Sequence, residues 1–392
     1  MIDVKAIRRD PEPVLAALAR RGDGSDSRLR TVLELDERRR ALLPEVESLR
    51  AEQKAAGGDP ARRAEMTELK QRRSALESEL QGVEKEYDAA LSSVPNPPDP
   101  SAADADSVIR EVGAPGGEGP DHLAVAGGEI DMEAGARVSG SRFAYLRGDV
   151  VLVYLALVRW ALELLGEKGF EPVIPPVLVR EQALYGTGFL PDTEQQIYSV
   201  PDDKLFLAGT SEVALASLHA GETLDGLPLR YAGISPCFRR EAGAAGRDTR
   251  GILRVHQFDK VEMFAFVEPG AAVEEHERLL AIEEEILQAL DVPYRVVNIA
   301  VNDLGASATK KYDCEAWMPG QNRYREVTST SNTTDFQARR LGVKLRGGGF
   351  AATLNGTAVT WRHLIAILEN HGGAVPEVLQ AWGAPARVGG SA

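Results

Sequence analysis

Cysteine is scarce in this sequence, and the scarcity limits the classes of protein that it can represent. Cys237 and Cys314 are the only two cysteines among 392 residues, too few for a disulfide framework or a zinc-ligand cluster. The six histidines show no metal-binding spacing. We therefore expect a chain that works in the reducing cytoplasm and has no zinc site.

Long apolar runs are also missing. The longest uncharged apolar stretch, Val150 to Val158, ends at Arg159 and is far shorter than a membrane-spanning helix. Met1 to Ala6 contain no apolar signal core. The Walker loop, the H-E-x-x-H pair and the G-x-G-x-x-G turn between a strand and a helix are absent, so these other site designs lack support. We expect a soluble chain without membrane contact and without an organic cofactor.

Positive charge is in short supply, since the formal net charge is −14. This argues against a general nucleic-acid binder, because phosphate contacts need Lys and Arg. The stretch from Arg28 to Arg73 is an exception: it has twelve Lys or Arg against nine Asp or Glu, so it carries +3 and the rest of the chain −17. Any contact with nucleic acid should therefore be local. The length of the chain favours two or three parts.

Helical periodicity marks residues 1–93 as a helical domain. Val4 to Ala19 has helical spacing, and two heptad seams follow on either side of a turn within residues 55–61. These seams predict an antiparallel coiled-coil hairpin, an arm of roughly 45 Å for helices of about thirty residues. Pro44 predicts a kink or a local break in the first helix. A generic dimerisation or packing element is the alternative. The seams are Val32, Leu35, Arg39, Leu42, Val46 and Leu49, then Met66, Leu69, Arg73, Leu76, Leu80, Val83 and Tyr87.

Composition divides the rest of the chain into two segments. Residues 94–120 are rich in Pro, Gly, Ala and Asp with little aliphatic periodicity, which predicts a linker over the surface. Residues 121–392 should form the main domain, with amphipathic helices at Val150 to Leu165 and Ala271 to Leu290.

Charged residues alternate around a loop of small residues between Cys237 and Glu262. Arg239 and Glu241 lie two apart, so in an extended strand their side chains share one face. The return run from Ile252 predicts a second strand. The pair of strands would present an arginine pair, a stacking ring and two carboxylates to one ligand, although a solvated charged hairpin would suit any single piece. The remaining residues of interest are the turn at 243–246 and Arg247, Asp248, Arg250, Arg254 and Phe258.

This stretch resembles motif 2 of class II aminoacyl-tRNA synthetases in the form found in bacterial seryl-tRNA synthetases: FR-x-EAG, GRDTRG and RVHQF-x-KVE occur in that order. Residues 169–179, with Pro176, resemble motif 1, and residues 353–370 resemble motif 3. Residues 311–340 are another close match. The resemblance covers almost the whole chain. It implies an α+β fold, in which an N-terminal antiparallel α-helical coiled-coil arm precedes a class II catalytic domain with a central antiparallel β-sheet flanked by helices.

The resemblance implies a serine–tRNA ligase that uses ATP with Mg²⁺. Serine would react with ATP to give seryl-adenylate, and the seryl group would pass to the 3′ end of tRNA(Ser). The coiled-coil arm of the protein would bind the long variable arm of that tRNA. The motif 1 helix and strand would form a homodimer. Alternatives are a specialised paralogue that serves a dedicated pathway, inhibitor resistance or a non-tRNA acceptor, and a non-catalytic coiled-coil interaction protein.

The resemblance also implies roles for individual residues. Arg239, Glu326 and Arg362 would be catalytic, and Glu326 and Ser329 would bind magnesium. Thr210, Ser211 and Glu212 would lie near serine, although by itself this triplet is more typical of a helix cap. The full serine set is Thr210, Ser211, Glu212, Arg239, Glu262, Asn355 and Thr357; the ATP set is Arg239, Arg240, Glu241, Arg254, Val255, Phe258, Glu326, Val327, Thr328, Ser329 and Arg362.

Overall fold

Helices make up most of the N-terminal segment, as its periodicity predicts. The computed structural model describes residues 1–56, 63–191, 196–242, 248 and 250–389, and contacts divide the chain into two units, Met1–Pro97 and Pro98–Ala392. The helices of the first unit are α1 (Val4–Ile7), α2 (Glu12–Ala19), α3 (Ser25–Ala56) and α4 (Arg63–Ser93).

The two long helices α3 and α4 pack along the predicted heptad seam. Leu42, Val46, Leu80 and Val83 are buried together between them. Arg39 lies over the ring of Tyr87, 4.8 Å from its centroid, whereas Arg50 pairs with Glu77 at 2.9 Å. Partners on α4 thus come earlier in sequence as α3 advances, so the helices are antiparallel. The coiled-coil prediction is confirmed. Of the turn predicted within residues 55–61, positions 55 and 56 belong to α3 and the others lie outside the described residues.

Pro44 lies inside α3 without interrupting it, so of the kink or local break predicted there, the break is wrong. The helix runs without interruption from Ser25 to Ala56. A proline removes one backbone hydrogen bond, but the burial of Leu42 and Val46 on either side holds the helix against α4.

The second unit contains one large sheet with helices on both faces. Its helices are α5 (His122–Val125), α6 (Met132–Ser139), α7 (Gly148–Glu167), α8 (Glu181–Thr187), α9 (Glu212–Ala216), α10 (Ala272–Ala289), α11 (Phe336–Leu341), α12 (Trp361–His371) and α13 (Glu377–Gln380). The strands are β1 (Ser107–Val112), β2 (Ile130–Asp131), β3 (Tyr145–Leu146), β4 (Glu171–Val173), β5 (Leu178–Arg180), β6 (Tyr198–Val200), β7 (Leu205–Leu207), β8 (Thr223–Leu224), β9 (Leu229–Phe238), β10 (Gln257–Val267), β11 (Tyr294–Asn298), β12 (Lys310–Met318), β13 (Arg323–Asn332), β14 (Lys344–Leu345) and β15 (Ala352–Thr360).

The large sheet has eight strands in the order β1-β11-β12-β13-β15-β10-β9-β4. Neighbours are antiparallel except for the edge pair β4 and β9, so the predicted antiparallel sheet is confirmed. On one face α7, α10 and α12 cover the main apolar core. On the other, α9 and α11 cover a smaller core around Phe264 and Phe266.

The segment predicted as a linker, residues 94–120, contains part of this sheet. Ser107–Val112 pair antiparallel with β11 at the sheet edge, with a register shift between Val108 and Arg110. The side chains of this strand are mostly exposed, so its sequence lacks the apolar alternation that marks a strand with one buried face. No helix in the described part of the chain is long and apolar enough to span a membrane.

A buried carboxyl group lies between α10 and the sheet. Glu283 has no solvent exposure, and its Oε2 accepts a hydrogen bond from Thr328 Oγ1 at 2.8 Å. Its Oε1 has no hydrogen-bond partner among the described residues. Burial raises the pKa of Glu283 well above its usual value, because the charged form is costly in an apolar surrounding.

Glu283→Gln should therefore stabilise the fold increasingly as the pH rises from 5 to 8. The folded wild type keeps a proton that the unfolded chain releases, so wild-type stability falls with rising pH, by up to about 1.4 kcal/mol per pH unit. Glutamine carries no such proton and keeps an acceptor for Thr328. Thermal unfolding midpoints of the two chains at several pH values measure the difference. The exposed control Glu167→Gln should change stability by no more than about 0.5 kcal/mol; a pH-independent difference for Glu283→Gln would contradict the account.

Candidate active site

A cavity of about 660 Å³ opens on the face of the sheet that carries α9 and α11. It collects residues that are far apart in the sequence, from Leu184 on α8 to Arg362 in the first turn of α12. The predicted site residues that line it are Thr210, Glu212, Arg239, Glu241, Arg254, Val255, Phe258, Glu262, Glu326, Val327, Ser329, Asn355, Thr357 and Arg362.

Strand alternation brings the β10 residues to the cavity. Phe258, Lys260 and Glu262 are two residues apart and line it together, whereas Val261 and Met263 point into the main core. One strand thus supplies a ring, a cation and a carboxylate to the same side of the sheet.

Two β-bulges, one on β13 and one on β15, interrupt the alternation of side chains in the neighbouring strands. The register between β12 and β13 shifts at Val327, which has no partner of its own. Under strict alternation, Glu326 and Ser329 would lie on opposite faces of the sheet. The extra residue between them brings both side chains to the face that carries the cavity. A similar shift at Ala358 on β15 follows Thr357.

Three predicted side chains do not line the cavity. Ser211 is buried beneath it, with its Oγ 2.8 Å from Ser235 Oγ. Thr328 faces the opposite side of the sheet and donates to Glu283. Arg240 is exposed beyond the end of β9. Each is adjacent in sequence to a residue that does line the cavity, so the difference lies in the direction of the side chain, and their roles as ligands stay predictions.

Glu262 is the centre of a buried polar group. Its side chain has no solvent exposure, and Asn355 Nδ2 donates to its Oε1 at 2.9 Å. Thr357 Oγ1 donates to Oε2 at 3.4 Å, and Lys260 Nζ lies 2.5 Å from the same oxygen. Lys260 also donates to Thr210 Oγ1 at 2.8 Å. These fixed donors compensate the cost of burying the carboxylate.

Glu212 lines the cavity beside this group. Gln337 Nε2 donates to Glu212 Oε1 at 2.7 Å. Burial and the negative charge of Glu262 raise the pKa of Glu212 to about 7, against the opposing effects of Gln337, Lys260 and Arg239. A carboxylate in this position suits a substrate ammonium group, since that cation would restore the ionised form.

Arg239 connects the Glu262 group with an aromatic ring. Its Nε donates to the carbonyl of Gly209 at 3.1 Å, next to Thr210, and its guanidinium carbon lies 5.3 Å from the centroid of Phe258. The guanidinium therefore lies close to both kinds of group that the sequence analysis assigned to separate substrates.

The loop after β9 differs from the predicted extended strand. The ladder with β10 ends at Phe238, so Arg239 follows the strand, and Glu241 has a left-handed φ of 51°. The two side chains reach the cavity from a loop and do not share a strand face. Ile252 also precedes the return strand, which begins only at Gln257. The predicted turn at 243–246, together with Arg247, lies outside the described residues.

Ion pairs hold the described part of this loop. Arg254 Nη1 lies 2.6 Å from Glu241 Oε2, and Arg325 Nη2 lies 2.7 Å from Asp248 Oδ2. The Arg325 guanidinium lowers the pKa of Asp248 to about 2, so this carboxylate is ionised at neutral pH. Glu241, a member of the predicted ATP set, is already paired with a cation.

Arg362, on the first turn of α12, pairs with Glu326. Arg362 Nη1 donates to Glu326 Oε1 at 2.8 Å. Partial desolvation opposes ionisation of Glu326, whose side chain keeps 45% of its surface exposed. Arg362 and Lys311 outweigh this effect and lower the pKa of Glu326 to about 2. Lys311 also pairs with Asp313 at 3.1 Å, and Asp313 is the ladder partner of Ser329.

Glu326 and Ser329 offer hard oxygen donors to a cation. Mg²⁺ is commonly held by one or two carboxylates together with nucleotide phosphates, and this donor set fits such a site. Within the described ranges, three or more His, Cys, Asp or Glu side chains nowhere form a cluster that could hold a metal by themselves.

A buried histidine anchors the segment that returns from the loop to β10. The backbone N–H of Ile252 donates to His122 Nε2 at 3.1 Å, so the other ring nitrogen, Nδ1, donates to Glu369 Oε1 at 2.7 Å. Glu369 Oε2 accepts from the backbone of Gly320. A Cβ at Gly251 would lie 2.1 Å from the His122 ring, which explains why glycine is needed there.

Sequence reasoning missed several polar residues around the cavity. Lys260 could have been found, because it lies midway between Phe258 and Glu262 in the same alternation. Gln337 and His122 had no such signal, since each acts through contacts to residues more than one hundred positions away.

Comparison with known proteins identifies two matching families. The seryl-tRNA synthetase N-terminal domain matches residues 1–98, and the tRNA synthetase class II core domain (G, H, P, S and T) matches residues 197–371. The serine–tRNA ligases of Thermobifida fusca (strain YX) and Mycobacterium tuberculosis (strain ATCC 25618 / H37Rv) are each 48% identical to this chain, covering 95% of it and 93% and 94% of their own lengths.

Solved structures agree with these relatives. The seryl-tRNA synthetase from Pyrococcus horikoshii complexed with ATP has a TM-score of 0.92 at 40% identity, over 99% of each chain. The cytoplasmic serine–tRNA ligase from Naegleria fowleri in complex with AMP has a TM-score of 0.87 at 32% identity, over 97% of this chain and 95% of that one. Since the similarity extends from the helical arm through the sheet that carries the cavity, the chain belongs to the seryl-tRNA synthetases.

Proposed function

We propose that this serine–tRNA ligase carries out both of its steps in the cavity, with Arg239, Glu326 and Arg362 as the catalytic residues. L-serine and ATP would form seryl-adenylate and pyrophosphate, and the 3′-hydroxyl of tRNA(Ser) would then take the seryl group. The contacts of Arg239 carry the proposal: it bonds the carbonyl of Gly209, which precedes Thr210, and it lies over the ring of Phe258.

Serine binds against the Glu262 group. Its hydroxyl contacts Glu262 and Thr357, its ammonium contacts Glu212 and Thr210, and its carboxylate contacts Arg239. Alanine would leave the buried Glu262 group without the hydroxyl partner. Such loss of a buried hydrogen bond allows strong discrimination between two similar substrates.

ATP binds with adenine on Phe258 and its phosphates toward the arginines. The base is read by Glu241 and by the backbone near Val255, while Arg254 and Arg362 hold the outer phosphates. Glu241 and Arg254 pair with each other in the cavity described above, so binding exchanges that ion pair for contacts with the nucleotide.

The chemistry requires positioning and charge stabilisation rather than a protein nucleophile. A serine carboxylate oxygen attacks the α-phosphorus, the bond to the pyrophosphate oxygen breaks, and Arg239 stabilises the negative charge that develops between them. The tRNA hydroxyl next attacks the carbonyl carbon of seryl-adenylate, and AMP leaves. Glu326 and Ser329 would hold Mg²⁺, which supplies positive charge to the phosphate oxygens when bound.

We assign tRNA binding and catalysis to different domains of the chain. Residues 1–93 bind tRNA(Ser) through the arm, and residues 121–392 catalyse in the cytoplasm. Residues 94–120 join the two parts and also supply β1 to the large sheet. A homodimer would form through α7 and β4; exposed apolar side chains at Leu152, Leu155 and Ile174 on and beside these elements support it. The comparisons match serine–tRNA ligases and give no support to a non-tRNA acceptor.

Arg239→Ala should reduce serine-dependent exchange between pyrophosphate and ATP by roughly a hundred- to thousandfold, because the charge at the α-phosphate loses its main stabilising group. Arg346→Ala is the matched control, since Arg346 is exposed and pairs with Asp225 away from the cavity. Equal exchange rates in the two variants would contradict the role of Arg239.

Replacing exposed cations of the arm should separate the two steps. Lys54, Lys70 and Arg72 are exposed on α3 and α4, and changing all three to Glu should raise the KM for tRNA by about tenfold or more and flatten its salt dependence, since phosphate contacts are lost. Pyrophosphate exchange, which needs no tRNA, should stay unchanged. Normal charging by this variant would show that these arm positions do not contact tRNA.

A further inference from the structure

A glutamine outside the cavity contacts the carboxylate of Glu212. Gln337, on the first turn of α11, has no solvent exposure and does not line the cavity. Its Nε2 donates to Glu212 Oε1 at 2.7 Å and to the carbonyl of Thr187 at 3.3 Å. Thr187 and Glu212 both line the cavity, so Gln337 acts on a substrate only indirectly, and its shorter hydrogen bond is to Glu212.

Two threonines fix the direction of the Gln337 amide. Thr353 Oγ1 donates to Gln337 Oε1 at 2.9 Å, and Thr333 Oγ1 lies 3.4 Å from the same oxygen. The hydroxyl of Thr333 also lies 2.6 Å from that of Thr353. Because the carbonyl of Thr187 can only accept a hydrogen bond, the amide nitrogen faces Thr187 and Glu212, and the amide oxygen faces the two hydroxyls. An amide keeps this arrangement at any pH.

The Gln337 amide is an uncharged donor to Glu212, whereas the other neighbours that affect the pKa of Glu212 are charged. Lys260 and Arg239 favour the ionised carboxylate from β10 and the loop after β9, while Glu262 and burial oppose it and raise the pKa of Glu212 to about 7. Gln337 stabilises the carboxylate by a hydrogen bond but does not neutralise it. The negative charge stays available to a cation in the cavity.

We propose that Gln337 is a positioning residue that holds Glu212 as an oriented carboxylate for the ammonium group of serine. The inference rests on the proposed function, in which Glu212 contacts that group. Without the amide donor, the Glu212 side chain would lose both its orientation and part of the stabilisation of its charged form.

Two substitutions test the proposal in serine-dependent pyrophosphate exchange measured from pH 6 to 9. Gln337→Met removes the donor at similar volume. At pH 7 it should raise the KM for serine about tenfold and leave the KM for ATP within about twofold, and the acid limb of kcat/KM for serine should move up by roughly one pH unit. Gln337→Glu puts a second carboxyl group against Glu212, so its acid limb should move further in the same direction.

The matched control is Gln288→Met. Gln288 Nε2 also donates a 2.7 Å hydrogen bond, in this case to the hydroxyl of Tyr294, and Gln288 does not line the cavity. It should leave both KM values and the acid limb unchanged. Thermal unfolding of each variant reports folding, and Gln337→Glu carries the test if Gln337→Met does not fold.

An unmoved acid limb in the Gln337 variants, or equal increases in the KM for serine and ATP, would overturn the proposal and leave Gln337 a structural residue. A wild-type chain without serine-dependent exchange would instead remove the proposed function, and this inference with it. The two failures are therefore distinguishable in the same experiment.

Discussion

The buried carboxyl group of Glu262 is the group on which the cavity depends, because a polar group without solvent is stable only when fixed partners satisfy its oxygens. Asn355, Thr357 and Lys260 supply those partners from β10 and its neighbour β15. The strands must keep their register for these contacts to form. Stability of the central sheet and the shape of the proposed serine site are therefore consequences of the same hydrogen bonds.

The two faces of the large sheet differ in what they pack against. One face packs on α7, α10 and α12. The other is partly covered by α9 and α11 and also carries the cavity. Loops and helix ends bring in the arginines, and buried pairs such as His122 and Glu369 fasten those loops to α12. A rigid face behind a partly open one suits chemistry that relies on positioning and electrostatics.

Patterns of local spacing predicted much of this architecture. The heptads predicted the packing of α3 on α4, and the alternation of β10 predicted that Phe258 and Glu262 share a face. Resemblance to the family supplied the candidate residues of the cavity, although their roles as ligands stay predictions. What local spacing could not predict was where strands end: the ladder stops at Phe238, so Arg239 belongs to a loop.

One-residue irregularities and long-range contacts account for the other differences. The shift at Val327 brings Glu326 to the cavity while Thr328 faces Glu283, and a bulge has no signature in period-two alternation. The edge strand β1 escaped notice because its exposed side chains carry no apolar pattern. Gln337 reaches Glu212 only in the folded chain, so no motif of neighbouring residues pointed to it.

Binding of a non-hydrolysable sulfamoyl analogue of seryl-adenylate tests most directly whether serine and ATP share this cavity. Inhibition kinetics in pyrophosphate exchange, run against each substrate in turn, provide the measurement. If both substrates meet beside Arg239, the analogue will compete with serine and with ATP, and will bind more tightly than either. Noncompetitive inhibition against one of them would place that substrate elsewhere and contradict the account.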